Sequence, residues 1–192
     1  MEVHLKRIHG NFTTGYALDK HTTSSTPTGY NEQGHMQFHN VRSPAGEALY
    51  QLKYKQDFSQ IEPLAQAVVQ HIVPLLTQFS MVVPMPPSRW RPRQPVVELA
   101  RAIGVKLQLP SFDSLLTKVQ SGPSLKDLQA HEKAAALQGT ITLNRYLTGQ
   151  GPWNALLVDD LFDSGATVNE ACRVLRTYEK IGEIYVATLT WK

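Results

Sequence analysis

The chain has 192 residues, of which 42% are hydrophobic and 18% charged, a composition typical of one globular domain with a sizeable core. No apolar run approaches the roughly 18 residues of a transmembrane helix, and residues 1–7 lack the apolar core of a signal peptide. We therefore expect no membrane association and a cytoplasmic protein. The net charge of +3 is too small to indicate a nucleic-acid partner, and the single cysteine, Cys172, excludes an internal disulfide and predicts a small buried hydrophobe.

The first 42 residues contain two segments that alternate enough to predict strands, residues 3–8 and 36–41. Residues 22–29 between them are polar and predict a loop or a mobile segment. His35 and His39 would share one face of the second strand, but no cysteine and no tight ligand spacing support a metal site, so solvated histidines are favoured. We divide the chain into an N-terminal extension or hood, residues 1–42, and a main domain, residues 43–192.

Two helices are predicted next. Ser43 would be the N-cap of the first, with Pro44 at its first position. Ser59 and Glu62 would form a capping box at the start of the second. The second helix carries apolar residues at helical spacing, which predicts a core-facing side: Ile61, Leu64, Val68, Ile72 and Leu75.

A strand–loop–helix unit follows. Residues 80–83 read as a short buried strand, and a helix that begins at Pro95 would end at Gly104. The loop between them is basic and stiffened by proline. Arginine binds phosphate oxygens bidentately, so a small anion, most naturally pyrophosphate, is the expected partner. An exposed basic turn is the alternative.

The segment after this unit has features of a moving lid. Residues 115–118 are followed by the helix breakers Gly122 and Pro123, then by a helix predicted from Ser124 to Gln138. The lid residues would be Lys118, Ser121 and Lys126. An ordinary surface hairpin or helix explains the pattern equally well. Residues 140–143 predict an edge strand.

The stretch from residue 155 to residue 167 dominates the sequence. Four apolar residues predict a buried strand that ends at the adjacent carboxylates Asp159 and Asp160. A loop of small residues follows, and Thr167 with Glu170 would form a capping box at the start of a helix. The next strand would be residues 184–189, after a helix that ends at Gly182.

The chemistry of this stretch predicts a phosphorylated ribose as ligand. The loop presents backbone N–H groups and a helix N-terminus to an anion, and Gly165 is where the backbone would approach a phosphate closely. The two aspartates could accept hydrogen bonds from sugar hydroxyls or hold a hydrated Mg²⁺. The alternative is a core strand that ends in two acidic residues before an ordinary capped helix.

Strands that alternate with helices predict an α/β fold: a doubly wound, mostly parallel sheet with helices on both faces. Ligands of such folds bind at the carboxyl ends of the strands, which is where both ligand loops would lie.

The 155–167 stretch resembles the 5-phosphoribosyl 1-diphosphate (PRPP) motif of type I phosphoribosyltransferases. The wider pattern is similar to the ComF (competence protein F) branch of that family over residues 45–192. It rests on Leu52-Lys53-Tyr54-Lys55, Val83-Pro84-Met85-Pro86, the loop from Arg89 to Arg93, Lys118 with Glu132-Lys133, and the PRPP motif. Within the PRPP motif, Phe162 stands where the family usually has a smaller aliphatic residue. The chain departs from the ComF branch in two places. It has no paired-cysteine zinc segment, and an Arg-Gly-Phe-Asn-Gln run is reduced to Arg93-Gln94-Pro95.

The resemblance implies a role for each ligand residue. Asp159 and Asp160 would hold the ribose hydroxyls and, through water, Mg²⁺. The 5′-phosphate would be bound by Asp163, Ser164, Gly165, Ala166 and Thr167. The pyrophosphate arm would be bound by Pro86, Pro87, Ser88, Arg89 and Arg91, and the two arginines with the two aspartates would form the catalytic set.

The function implied is Mg²⁺-dependent transfer of ribose 5-phosphate from PRPP to a nitrogen acceptor, with release of pyrophosphate, in nucleotide metabolism. Catalysis of this kind relies on positioning and on neutralising the leaving group, so no strong general base is required. A PRPP- or nucleotide-binding regulator without turnover is the first alternative, and a ComF-like DNA-uptake accessory protein is the second. The sequence names neither the acceptor nor the oligomeric state, and a homodimer is compatible with it.

Overall fold

The structure is a computed structural model, and it describes residues 1–119 and 138–192. The elements in chain order are β1 (Lys6–Ile8), β2 (Thr14–Lys20), β3 (Thr22–Tyr30), β4 (Met36–Arg42), α1 (Pro44–Tyr54), α2 (Ile61–Ala67), β5 (Met81–Pro84), α3 (Pro95–Leu107), β6 (Leu116–Lys118), β7 (Ile141–Leu143), β8 (Trp153–Phe162), α4 (Ala166–Leu175) and β9 (Ile181–Trp191). Within the described residues, no helix combines the length and apolarity needed to cross a membrane.

A five-stranded sheet lies at the centre, in the order β1-β2-β9-β8-β5. β2, β9, β8 and β5 run parallel to one another, and β1 is antiparallel to β2. Two pairs of strands stand apart as antiparallel ribbons, β3 with β4 and β6 with β7. The predicted fold class, a mostly parallel α/β sheet with helices, is confirmed.

Both faces of the sheet are buried, because β8 alternates between two hydrophobic clusters. Leu156 belongs to the cluster that includes Leu99 of α3 and residues of α1 and α2. Leu157 belongs to the cluster that includes Val168 of α4. A strand covered on both faces needs a continuous apolar run, which is the pattern found at residues 155–158. Cys172 of α4 is fully buried as predicted, and this burial raises the pKa of its thiol to about 12.

The division of the chain at residues 42 and 43 stays a prediction. The central sheet extends across it, because β2 pairs with β9 and β1 with β2. Of the four strands in the first 42 residues, β1 and β2 belong to that sheet, and β3 and β4 form a separate ribbon.

The prediction of a loop or mobile segment at residues 22–29 was wrong, because these residues form β3. They pair with β4 in antiparallel register, with shifts between Thr22 and Ser24 and between Pro27 and Gly29. Ladder hydrogen bonds to β4 thus outweigh the weak strand preference of serine, proline and glycine. His35 and His39 are both exposed on this ribbon.

Three predicted helix boundaries were wrong. The carboxylate of Asp57, not Ser59, accepts the capping bond, from the Ser59 N–H at 3.1 Å, and α2 begins at Ile61 with no side-chain cap. α3 continues past Gly104 to Leu107, where Gln108 ends it in the left-handed conformation with φ 56°. The helix after the stretch 155–167 ends at Leu175 and not near Gly182, which lies inside β9.

Other local predictions were confirmed. Ser43 is the N-cap of α1, and its hydroxyl accepts from the Gly46 N–H at 3.0 Å. The predicted core side of the second helix is buried at Leu64, Val68 and Ile72, but Leu75 is 48% exposed because the helix becomes irregular after Ala67. The helix predicted from Ser124 falls outside the described residues, except for its last residue, Gln138.

Candidate functional site

A cleft of about 450 Å³ opens at the carboxyl ends of β5 and β8. Its walls come from four segments of the chain. They are the end of α1 with Lys53 and Tyr54, the loop after β5 together with the first turn of α3, the end of β8 with Asp159, Asp160 and Leu161, and Thr167 of α4. The two ligand loops predicted from the sequence therefore meet at one edge of the sheet.

The acidic pair lies within β8, which continues to Phe162 beyond the four apolar residues predicted as the strand. The Asp160 N–H donates to Asp159 Oδ1 at 2.8 Å, which fixes one carboxylate relative to the other. Lys53 of α1 forms an ion pair with Asp160 across 2.7 Å, and the two side chains are only 23% and 17% exposed. Asp160 thus already has a cationic partner, whereas Asp159 has none at hydrogen-bond distance in the described residues.

Asp159 lies in a strongly perturbing environment. Asp159 is only partly exposed, on the wall of the cleft, and it lies next to Asp160 along β8. Burial, followed by the negative charge of Asp160, raises the pKa of Asp159 well above that of an ordinary aspartate. A cation placed next to Asp159 would stabilise the ionised carboxylate and so lower this pKa.

Lys118, predicted as a lid residue, lies on β6 and contacts a residue that lines the cleft. Its ammonium donates to the Ser88 hydroxyl at 3.1 Å. Burial lowers the pKa of Lys118, and the negative charge of Asp159 opposes that shift. Lys118 is therefore bonded to the loop after β5 and lies close enough to Asp159 to feel its charge. The other two lid candidates, Ser121 and Lys126, lie outside the described residues.

The loop after β5 holds its arginines in two different ways. Arg93 is committed to protein partners, because it pairs with Glu98 at 3.2 Å and stacks over the Phe58 ring at 3.8 Å. Arg89 and Arg91 line the cleft, and no carboxylate of the described residues pairs with either.

Gln94 gives this loop its shape. Its side-chain amide donates to the backbone carbonyls of Arg89 and Arg91, at 3.1 and 3.3 Å. It precedes α3 but makes no capping bond to that helix with its side chain. The loop backbone is thus fastened while two guanidinium groups remain available to an anion.

The loop after β8 differs from its prediction in one respect. Thr167 does not cap the helix, because α4 begins at Ala166 and Gly165 precedes it with φ 76°. Glu170, the other half of the predicted box, is instead buried and accepts from the Gly139 N–H at 2.9 Å. Thr167 is free of a capping role and lines the cleft, whereas Asp163 and Ser164 are exposed and Gly165 is buried.

Gly165 has a structural reason to be glycine. A Cβ at this position would lie 2.8 Å from Cζ of Phe162, and the positive φ disfavours any side chain. The close contact is with Phe162, the residue that is larger here than in the family pattern.

We expect Gly165→Ala to destabilise the protein more than Gly139→Ala. Both glycines have a similar positive φ, 76° and 77°, but a Cβ at Gly139 meets nothing within 4 Å. Gly139→Ala should therefore cost about 1–2 kcal/mol of backbone strain, and Gly165→Ala about 1–3 kcal/mol more for displacing the Phe162 ring. Urea unfolding of the two variants measures the difference. Equal losses of stability would show that the ring moves aside without cost.

The structure brings most of the predicted site residues together. The cleft is lined by Asp159, Asp160, Arg89, Arg91, Pro86, Pro87, Ser88 and Thr167. Asp163, Ser164, Gly165 and Ala166 form the adjoining turn and do not line it. Sequence reasoning gave no role to Lys53 and Tyr54, although both stand in the Leu52-Lys53-Tyr54-Lys55 segment. Their position beside Asp160 depends on a contact between distant parts of the chain.

Comparison with known proteins gives a fold but no family. No protein-family model matches the chain, and no curated protein does. Among solved structures, it is similar to adenine phosphoribosyltransferase from Trypanosoma brucei in complex with AMP, pyrophosphate and ribose-5-phosphate, at 10% identity and TM-score 0.51, over 98% of this chain and 74% of that one. Adenine phosphoribosyltransferase from Leishmania donovani gives 10% identity and TM-score 0.50, over 98% and 86%.

A third similar structure is a longer protein, UMP synthase from Leishmania donovani, at 14% identity and TM-score 0.37. The match covers 84% of this chain but only 26% of that one. At 10% identity, the likeness to the two adenine phosphoribosyltransferases shows a shared fold alone.

Proposed function

We propose that this protein is a PRPP-dependent phosphoribosyltransferase. The observation that carries the proposal is the cleft itself, in which an acidic pair at the end of β8 faces two arginines that have no carboxylate partner in the described residues. One ligand that needs carboxylates for its hydroxyls and cations for its phosphates is a ribose with phosphate groups at both ends. PRPP is such a ligand.

Each part of the site has a task in this reaction. Asp159 and Asp160 would accept hydrogen bonds from the ribose hydroxyls, and the turn before α4 with Thr167 would bind the 5′-phosphate. Arg89, Arg91 and Lys118 would neutralise the diphosphate as it departs. The bond between the anomeric carbon and the diphosphate oxygen breaks with its electron pair on oxygen. A nitrogen of the acceptor forms the new bond to that carbon, and its proton leaves with pyrophosphate.

Mg²⁺ fits the residues present, provided that the substrate supplies the remaining ligands. Within residues 1–119 and 138–192, no group of three or more His, Cys, Asp or Glu side chains could hold a metal alone. Asp159 and Asp160 would hold the ion through water, with Asp159 contributing more because Lys53 already pairs with Asp160. Mg²⁺ keeps several waters and binds one or two carboxylates together with substrate phosphates, and there it would offset the leaving-group charge.

We also propose that the chain is related to the ComF-like branch, on the segments named above. A PRPP- or nucleotide-binding regulator remains the second candidate, because Arg93-Gln94-Pro95 replaces the longer run usual after the basic loop. Arg93 is here tied to Glu98 and Phe58, away from the cleft. Release of pyrophosphate on incubation with PRPP, Mg²⁺ and a panel of bases separates the enzyme from the regulator.

PRPP with Mg²⁺ should raise the melting temperature. At a ligand concentration a hundred times Kd, binding to the native state alone adds about 2.7 kcal/mol. For a chain of this size that corresponds to a shift of roughly 5–10 °C. Differential scanning fluorimetry measures it, with Mg²⁺ alone and PRPP with EDTA as controls. An unchanged melting temperature at millimolar PRPP and Mg²⁺ would remove the ligand assignment for enzyme and regulator alike.

A further inference from the structure

We infer that Tyr54 is a stacking platform that favours a planar heteroaromatic acceptor. The inference rests on the proposed function, because it concerns the part of the cleft that PRPP would leave open.

Tyr54 is an aromatic residue of the cleft that stays open to solvent. It lines the cleft, yet it is 65% exposed. A large aromatic ring in that state keeps one π-face available to a ligand, and stacking on such a face accepts any planar ring.

The ring of Tyr54 is supported from behind. Its centroid lies 5.2 Å from that of Tyr50, one helical turn earlier, with an angle of 32° between the ring planes. The guanidinium of Arg42 lies 3.8 Å from the Tyr50 centroid, and Arg42 is itself paired with Glu47 at 3.1 Å. A ring held by a stack of this kind loses little conformational freedom when it binds a ligand.

The end of α1 is also fixed relative to the acidic pair. Lys53, the residue before Tyr54, pairs with Asp160 at 2.7 Å. α1 packs against β2 and β9, whereas the arginine loop follows β5 on the other side of β8. Tyr54 and the arginine loop therefore approach the end of β8 from opposite sides of that strand.

The positions of the two phosphate groups of PRPP indicate where the acceptor would bind. In the proposed reaction the diphosphate lies on the β5 side, and the 5′-phosphate lies at the turn before α4, on the other face of the sheet from α1. The wall formed by the end of α1 then faces neither phosphate group of PRPP, and it carries the aromatic side chain of Tyr54.

The test measures how much a base adds to the binding of ribose 5-phosphate. Isothermal titration gives Kd for ribose 5-phosphate, AMP, GMP, UMP and nicotinic acid mononucleotide, with pyrophosphate as a separate ligand. In the wild type we expect at least one nucleotide to bind ten times more tightly than ribose 5-phosphate. Tyr54→Leu should reduce that ratio to below threefold, and Tyr54→Phe should keep it because the ring remains.

The matched control is Tyr30→Leu on the β3–β4 ribbon, which removes a tyrosine that is 72% exposed and does not line the cleft. It should leave every Kd unchanged. If Tyr54→Leu keeps the wild-type ratio, or if no nucleotide binds better than ribose 5-phosphate, the stacking role is wrong while the proposed function stands. If the wild type binds neither ribose 5-phosphate nor pyrophosphate, the proposed function is wrong and the inference falls with it.

Discussion

Replacing both Arg89 and Arg91 by alanine is expected to weaken pyrophosphate binding by about a hundredfold. A hydrogen bond to a charged group contributes roughly 1.5–3 kcal/mol, and we take the lower value for each arginine because Arg89 is exposed and Arg91 only partly buried. The stability of the protein should not change, because neither guanidinium pairs with a carboxylate of the described residues. Only the affinity for the ligand should fall. Titration calorimetry with pyrophosphate and Mg²⁺ measures the change.

Arg93→Ala provides the matched control. It removes one positive charge from the same loop, but Arg93 is tied to Glu98 and Phe58. Pyrophosphate binding should therefore stay within threefold of the wild type, and AMP binding should be little affected in either variant. If the double variant binds pyrophosphate as the wild type does, the loop is an exposed basic turn. The proposed transfer reaction would then have no binding site for its leaving group.

Replacing Asp160 by asparagine is expected to lower PRPP affinity ten- to a hundredfold. The shape is kept, but a charged acceptor worth about 1.5–3 kcal/mol to a hydroxyl donor is lost. The variant also leaves the largely buried ammonium of Lys53 without its partner at 2.7 Å, which should lower stability as well. Calorimetry with PRPP and Mg²⁺ gives the affinity, and urea unfolding gives the stability.

The double variant Lys53→Met, Asp160→Asn separates the two effects. Removing the unpaired ammonium should restore part of the stability, because no uncompensated charge remains at that position. It should not restore PRPP affinity, because the carboxylate is still absent. If Asp160→Asn binds PRPP within twofold of the wild type, Asp160 does not contact the ligand and serves only as the ion-pair partner of Lys53.

The sequence was most informative where the candidate ligand residues follow one another along the chain. The apolar run before Asp159 predicted a buried strand, and Pro95 marked the helix after the basic loop, because both signals depend on neighbouring residues only. These local patterns were enough to predict that two ligand loops lie at one edge of a parallel sheet. They could not show that Lys53 pairs with Asp160, since that contact joins α1 to β8.

The same limit explains the missed strands. β2 contains Gly15, Asp19 and Lys20, which are poor strand formers, and it is a strand because β9 supplies its ladder partners. β3 is likewise held by β4 rather than by its own composition. The capping box at Thr167 failed for a different reason, because Gly165 can adopt a positive φ and so lets α4 begin one residue earlier.

The position of β9 has a consequence for the order in which the protein can assemble. β9 follows all the other strands along the chain, yet it lies between β8 and β2 in the sheet. During synthesis β1 and β2 emerge first and can pair with each other, but β2 has no parallel neighbour until β9 has left the ribosome. The pairing of β2 with β9 closes a loop of nearly the whole chain, so it should form late and slowly. Until then, the edges of β2 and β8 are open to other chains.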